Sequence, residues 1–177
     1  KRVIHTTADF EYADLIEFLG NPISSAKKVL SGGCKIYCDT NMIVNGMSKT
    51  ILKKFNCVPY TLVSDAEVSK KAKERGVTRS IVGMEYAGKD KETKIFLIGN
   101  APTALYKLKE MIEKNEIEKP ALVVGVPVGF VGASESKEVF KETKVPYITI
   151  NGRKGGSTAA VSILHGILYQ IYKREGF

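Results

Sequence analysis

Short runs of β-branched and other apolar residues alternate along this chain with longer segments of helical periodicity, and this alternation constrains the fold more than any other feature. Five runs are predicted to be strands: residues 35–38, 58–62, 95–98, 121–125 and 147–150. Strands that alternate with helices are typical of βαβ units, in which a helix joins two parallel strands. The pattern therefore predicts an α/β fold, a three-layer α/β/α domain with a mainly parallel five-stranded sheet.

Helices are predicted wherever apolar residues recur at three- and four-residue spacing between these strands. Those helices span residues 42–54, 64–75, 80–87, 102–115, 134–143 and 157–173. The first thirty residues contain no predicted strand, and two further helices, 8–19 and 22–30, are expected on either side of the Gly20-Asn21-Pro22 break. Because no repeat or linker divides the chain, residues 1–177 are predicted to form a single domain.

The composition argues against several classes of protein. No apolar run approaches the roughly 20 residues that span a bilayer, and the N-terminus has no apolar stretch of the signal-peptide kind. A cytoplasmic protein is expected.

Three cysteines are an odd number for a disulfide framework, and two histidines at opposite ends of the chain argue against a zinc site. The net charge of +8 suits either an anionic partner or a solvated basic surface.

The loops that follow the predicted strands are the first place to look for function, because open parallel sheets bind ligands at the carboxyl ends of their strands. Residues 151–157 combine Arg153 and Lys154 with a glycine pair and Ser157, just before a long apolar helix. The cations and the helix N-terminus would face an anion. A glycine turn with Ser157 as the helix N-cap explains the same residues.

The loop after the fourth strand is mostly uncharged and carries Gly125, Gly129 and Gly132 around Phe130. Such a loop lets the backbone approach a large flat ligand closely. A tight turn from strand to helix, capped by Ser134, explains the residues equally well.

The two histidines differ in setting. His165 lies within an apolar helix and is interpreted as a packed residue. His5 precedes Thr6 and Thr7, either of which can cap a helix, so its side chain is expected at a helix entrance. From position alone, a surface histidine is the commoner interpretation of His5.

Six segments nevertheless occur in an order and spacing that are highly specific. They are Val3-Ile4-His5, Cys38-Asp39 with Met42 and Gly46, the run 98–105, the run 127–133, Glu135-Ser136-Lys137, and Gly152-Arg153 with Gly155-Gly156-Ser157. Together they resemble the precorrin-8X methylmutase family, also called cobalt-precorrin-8 methylmutase, over essentially the whole chain. Family members usually have further residues before the histidine segment, so part of the native N-terminal region is expected to be missing.

The resemblance implies a homodimeric, flavodoxin-like isomerase of corrin (cobalamin) biosynthesis. Its reaction would be a 1,5-sigmatropic shift of a methyl group from C11 to C12 of precorrin-8X or cobalt-precorrin-8, giving hydrogenobyrinate or cobyrinate. The resemblance assigns the catalytic role to His5, whose imidazole, with an ordinary pKa near 6.5, can donate a proton near neutral pH. Because the shift is intramolecular, no cofactor or second substrate is expected, and a metal would be held by the macrocycle rather than by the protein. No nucleic acid or membrane partner is expected either.

A tetrapyrrole with acetate and propionate groups around an apolar ring requires cations and N–H groups at its edge and apolar loops across its faces. The residues expected to bind it are Arg79, Asp39, Asn100, Thr103, Gly129, Phe130, Ser136, Arg153, Gly155, Gly156 and Ser157. Two other functions stay open: a nonenzymatic corrinoid-binding or carrier protein, and a nucleotide-binding flavodoxin-like protein that uses the 152–157 turn.

Overall fold

The computed structural model describes residues 1–172 of the chain. The strands in this range are β1 (Ile16–Leu19), β2 (Lys35–Cys38), β3 (Val58–Tyr60), β4 (Thr93–Ile98), β5 (Leu122–Gly125) and β6 (Tyr147–Ile150). The helices are α1 (Arg2–Thr7), α2 (Tyr12–Leu15), α3 (Pro22–Gly32), α4 (Asn41–Gly46), α5 (Lys49–Lys54), α6 (Ala66–Arg75), α7 (Arg79–Lys89), α8 (Pro102–Glu113), α9 (Ala133–Phe140) and α10 (Ser157–Ile171). A 3₁₀ turn, Lys141–Thr143, follows α9.

The strands form one sheet in the order β1-β6-β5-β4-β2-β3. Strands β2 to β6 pair in parallel, whereas β1 runs antiparallel to β6. The parallel strands alone follow the flavodoxin-like order, 2-1-3-4-5 when β2 is counted first. This order reverses direction between β2 and β4, so the carboxyl ends of these two strands border the crevice in which such sheets bind ligands.

The sheet confirms the predicted α/β architecture and adds one strand that the sequence pattern missed. The bounds of the parallel strands differ from the predicted ones by at most two residues. The predicted helix over residues 8–19 is wrong, because helix α2 ends at Leu15 and β1 follows. β1 pairs along the edge of β6 from Ile16↔Ile150 to Leu19↔Tyr147, and the Asn151 N–H donates to the Leu15 carbonyl at 2.8 Å. The segment is extended because it satisfies backbone groups that β6 would otherwise expose.

The other predicted helices are present with bounds that differ by one to three residues, except that one of them is divided in two. The predicted helix 42–54 is divided into α4 and α5 at Met47 and Ser48. The Ser48 N–H donates to Nε2 of His165 at 3.1 Å, so α10 supplies the acceptor at this break. Helix α10 ends at Ile171, and Lys173, the last residue of the predicted helix, lies outside the described residues.

Alternate residues of β2, β4, β5 and β6 enter different apolar layers. Ile95 and Leu97 of β4 pack with α1, α3, α4, α5 and α10, whereas Phe96 and Ile98 pack with α7, α8 and α9. Burial on both faces explains why these strands are continuous apolar runs rather than alternating ones.

Over residues 1–172, no helix is long and apolar enough to cross a membrane, and the three cysteines are free thiols.

Candidate functional site

Asp39 follows β2 and holds the loop after β4 in place. Its Oδ1 accepts the Gly99 N–H at 2.9 Å, and its Oδ2 accepts the N–H groups of Asn100 and Ala101, each at 2.8 Å. Burial raises the pKa of the Asp39 carboxyl, and the hydrogen bonds, which favour the charged form, oppose that rise. With the side chain only 5% exposed, the described contacts of Asp39 are those of a loop anchor.

Thr40, which the sequence reasoning missed, joins the loop after β2 to the start of α10. Its Oγ1 lies 2.9 Å from Oγ of Ser157. Gly99 allows this approach, since a Cβ there would lie 2.8 Å from the Ser157 Cα. The alternative in which Ser157 caps α10 is wrong, because the N-cap is Gly156 and no side chain caps the helix. The first turn of α10 therefore begins at the crevice between β2 and β4 without a side-chain cap.

The residues from Gly152 to Gly156, called the 152–156 turn below, are fixed to the loop after β5. The Gly129 N–H donates to the Arg153 carbonyl at 3.2 Å, and the Gly156 N–H donates to the Val126 carbonyl at 2.8 Å. At Gly155, a Cβ would lie 2.2 Å from the Val126 oxygen, and the φ of 151° also favours glycine. The two glycine-rich loops of the sequence therefore form one continuous surface.

Lys137 on α9 is a second residue that the sequence reasoning did not select. Its Nζ donates to the Lys154 carbonyl at 2.9 Å, although its side chain is only 1% exposed. Burial lowers the pKa of the ammonium to about 8. Its position in the matched Glu135-Ser136-Lys137 segment, on one helix face with Ala133 and Phe140, is the signal that could have identified it.

The loop sequence suggested that Lys154 faces an anionic ligand, but in the structure its side chain points to two carboxylates of the protein. Its Nζ donates to Asp9 Oδ2 at 2.5 Å and to Glu11 Oε2 at 2.6 Å. The hydrogen bond from Lys154 lowers the pKa of the Asp9 carboxyl, and the two carboxylates raise the pKa of the Lys154 ammonium. Arg153 is therefore the cation of this turn that is not paired with these carboxylates.

His5 lies in the last turn of α1 and is exposed, so the prediction of a helix entrance is wrong. The hydroxyls of Thr6 and Thr7 donate back to the carbonyls of Arg2 and Val3, at 2.9 and 3.0 Å, instead of capping a following helix. Ala8 ends the helix in the left-handed conformation. Since Asp9 and Glu11 bind Lys154, the end of α1 is attached to the 152–156 turn.

Exposed apolar side chains surround the start of α10. We call Met42, Val128, Phe130 and Val131 the apolar rim; their exposed fractions are 61, 49, 85 and 89%. The guanidinium of Arg153 lies over the Phe130 ring, with its Cζ 5.7 Å from the ring centroid. Arg153 therefore lies beside apolar surface, as the predicted ligand requires. Met42 is the member of the rim that was not among the predicted site residues.

Arg79 and Thr103 lie at the starts of α7 and α8, which are joined through Thr78. The Thr78 and Thr103 hydroxyls lie 3.3 Å apart, and Nη1 of exposed Arg79 donates to the Val63 carbonyl at 3.0 Å. The side chain of Asn100 is exposed at the same edge of the sheet, and its backbone N–H binds Asp39. Asn100 and Thr103 follow β4, next to the loop after β5 that carries Phe130, since a Cβ at Gly132 would lie 3.6 Å from the Pro102 Cβ.

Ser136 is the predicted site residue that the structure does not bring to this surface. It is fully buried in α9, where its hydroxyl donates to the Ala133 carbonyl at 3.0 Å. Because the helix turns the side chain into the core, this arrangement offers Ser136 no direct access to a ligand, and its contact with substrate stays a prediction.

Two grooves lie along α10, and neither is lined by the predicted residues. One, of about 160 Å³, lies between α1, α4 and α10 and includes Thr6, Met42, Thr158 and His165 in its lining. Burial and the nearby Arg2 charge lower the pKa of His165. A larger groove of about 440 Å³ is lined by α1, α2, β1 and α10. Within residues 1–172, no three His, Cys, Asp or Glu side chains are placed to hold a metal ion.

The chain is similar to known proteins over nearly its full length. Residues 1–170 match a family model described as precorrin-8X methylmutase. A cobalt-precorrin-8 methylmutase from Leptospira interrogans is 43% identical, covering 98% of this chain and 82% of the relative. The Salmonella typhimurium cobalt-precorrin-8 methylmutase is 41% identical, covering 97% and 80%. A solved precorrin-8X methylmutase from Thermus thermophilus aligns with a TM-score of 0.86 at 36% identity, covering 95% of this chain and 82% of that one.

Proposed function

Because the chain belongs to the precorrin-8X methylmutase family, we propose that it is an isomerase of corrin biosynthesis that acts on precorrin-8X or cobalt-precorrin-8. The observation that carries this proposal is the match over residues 1–170, which includes every loop at the carboxyl edge of the sheet. The reaction is the transfer of a methyl group from C11 to C12 within one macrocycle. Its product is hydrogenobyrinate or cobyrinate.

The surface at the start of α10 is the substrate site in this proposal. The apolar rim contacts a face of the macrocycle, and Arg153, beside Phe130, binds a peripheral carboxylate. The uncapped first turn of α10 offers N–H groups and the positive end of the helix dipole to another carboxylate. Arg79, with Thr103 near it, and Asn100 bind other groups at the edge of the ring. Asp39 fixes the loop after β4 through its backbone N–H groups, and Thr40 contacts Ser157 at the start of α10.

His5 is the proton donor in this proposal. Its side chain is exposed, so a ligand can reach it without movement of the core. The contacts of Asp9 and Glu11 with Lys154 keep α1 next to the turn that carries Arg153. Protonation of the conjugated ring system, or stabilisation of charge within it, lowers the barrier to the shift. Such general acid assistance typically raises the reaction rate by about 10²–10⁴-fold.

The exposed apolar rim also supports a homodimer. Exposed apolar patches on a folded chain mark binding or subunit contacts, and the side chains of the rim lie beside a site that is an open surface. A second copy of the chain over the rim would enclose the macrocycle. Light scattering after gel filtration, with and without the corrin product, measures this assembly.

Multiple-turnover kinetics test the proposed function. Purified protein is mixed with an excess of cobalt-precorrin-8 or precorrin-8X, and conversion is followed by the absorbance change of the tetrapyrrole. We expect many equivalents of product per protein chain. Binding that stops at one equivalent without further turnover would indicate a corrinoid carrier instead. Thermal stabilisation by a mononucleotide, but not by a corrinoid, would indicate the nucleotide-binding alternative.

A further inference from the structure

The turn that carries Arg153 is held by a buried cation. Lys137 extends from α9 to the Lys154 carbonyl, 2.9 Å away, and its side chain is among the largest fully buried ones in the protein. Within residues 1–172, no carboxylate forms an ion pair with this ammonium, whereas nearby Lys154 binds two. A buried charge without a counter-ion destabilises a folded protein.

The hydrogen bond from Lys137 fixes the orientation of the peptide group between Lys154 and Gly155. In a trans peptide the C=O and the following N–H point in opposite directions. Because the Lys154 carbonyl points to Lys137, the Gly155 N–H points away from it. The Arg153 carbonyl likewise points to the Gly129 N–H, which turns the Lys154 N–H away from that loop. Neither of these two N–H groups has an acceptor among the described residues.

Successive N–H groups directed outward form a concave binding place for an anion. Here they lie next to Arg153 and before the uncapped start of α10. The positive charge of Lys137 lies on the inner side of the Lys154–Gly155 peptide group, where it is shielded from solvent. An anion outside the turn is therefore attracted by a charge that it does not touch, and solvent screens that attraction less than it screens an exposed pair.

We propose that Lys137 is a positioning residue for a carboxylate of the substrate: it holds the 152–156 turn so that the Lys154 and Gly155 N–H groups face that carboxylate. The proposal rests on the function proposed above and adds a residue to its site. It also explains why a lysine occupies a position surrounded by core residues, where methionine would fill a similar volume without burying a charge.

Replacement of Lys137 by methionine tests this role through opposite effects on stability and affinity. For Lys137→Met we expect an unchanged or higher melting temperature, because an uncompensated buried charge is removed. We expect the Kd for cobyrinic acid to rise at least tenfold and KM to rise with it, while kcat changes less than threefold. Lys137→Gln, which keeps a polar side chain, is the second variant and decides the outcome if Lys137→Met does not fold.

Two controls separate this role from simpler effects. Lys28→Met removes the same charge from the exposed face of α3, and its Kd should equal that of the wild type. A fully amidated corrinoid lacks the carboxylates, so Lys137→Met should bind it as the wild type does. Wild-type affinity for cobyrinic acid in the folded Lys137 variants, or a loss confined to kcat, overturns the positioning role. Failure of wild-type protein to bind cobyrinic acid counts instead against the proposed function.

Discussion

The ammonium of Lys154 donates a hydrogen bond to Oδ2 of Asp9, 2.5 Å away, across a separation of 145 residues. Glu11 adds a second contact to the same ammonium. These bonds attach the segment after α1 to the turn before α10. In the proposed site they determine where His5 lies relative to Arg153, although neither carboxylate has to contact substrate.

The first prediction concerns this attachment. In the double variant Asp9→Asn, Glu11→Gln, Lys154 loses both charged partners, and α1 is free to move away from the turn. We expect kcat to fall several-fold because the proton donor is less well placed, with little change in melting temperature, because these pairs are largely exposed to solvent. Wild-type turnover in a folded double variant would contradict the positioning of His5 by these residues.

The second prediction concerns His5 itself. His5→Asn removes the proton donor at an exposed position, so folding and product affinity should be unchanged. We expect kcat to fall by about 10²–10⁴-fold, the usual contribution of general acid catalysis. Steady-state kinetics, with a product-binding titration alongside, measure both quantities. A rate equal to that of the wild type would remove His5 from the mechanism.

The third prediction concerns Arg153. Arg153→Ala should raise KM and the product Kd by about tenfold or more, because a hydrogen bond between charged groups contributes roughly 1.5–3 kcal/mol. Arg153→Lys should restore only part of the affinity, since an ammonium cannot bind a carboxylate in the bidentate way. Arg75→Ala is the matched control, because Arg75 pairs with Glu85. Unchanged affinity in Arg153→Ala would exclude this arginine as a carboxylate partner.

The fourth prediction concerns pH and His165. Its Nε2 accepts the Ser48 N–H, and a protonated imidazole cannot accept a hydrogen bond. Burial, together with Arg2, lowers its pKa in the folded state. The neutral ring therefore contributes stability that is fully present above its unfolded pKa of about 6.5 and is lost as the pH falls through the lower folded value.

His165→Gln supplies the comparison for this pH dependence. Its amide oxygen can accept the same N–H but does not titrate, so the free energy of unfolding should depend less on pH between about 5 and 7 than in the wild type. Urea unfolding at several pH values measures the difference. Parallel curves for the two proteins would show that His165 does not titrate with unfolding.

The fifth prediction concerns Gly155. A Cβ at Gly155 would collide with the Val126 carbonyl oxygen, and the φ of 151° is unfavourable for other residues. We expect Gly155→Ala to lower the free energy of unfolding by about 1–3 kcal/mol or more and to weaken product binding, because the turn must shift. Gly152→Ala is the control in the same turn: its φ is 73°, and a Cβ there meets nothing within 4 Å. Equal effects of the two substitutions would contradict the steric explanation.

Local sequence was sufficient to predict the five parallel strands and the loops that follow them. Four of these strands, β2, β4, β5 and β6, are buried on both faces, so a largely apolar run identifies each of them without knowledge of its neighbours. The edge strand β3, with Val58 54% exposed, was identified by its residue types. The glycines and polar residues at the carboxyl ends then identified the edge of the sheet where the site lies. Arg153, Phe130 and Ser157 lie on that edge as predicted, because chain direction alone brings those loops together in a parallel sheet.

Only the tertiary structure decided the remaining features, since each depends on a partner distant in sequence. Ile16–Leu19 forms a strand because β6 has an edge to pair with, and Lys154 turns from the expected anion to Asp9 and Glu11. Asp39 and Ser136 appeared to be ligands in the sequence but bind backbone groups in the interior. Lys137 was not selected as a site residue from the sequence, yet packing of α9 brings its ammonium to the Lys154 carbonyl of the 152–156 turn. A residue's type sets which bonds it can make, whereas burial and the groups around it determine which bonds form.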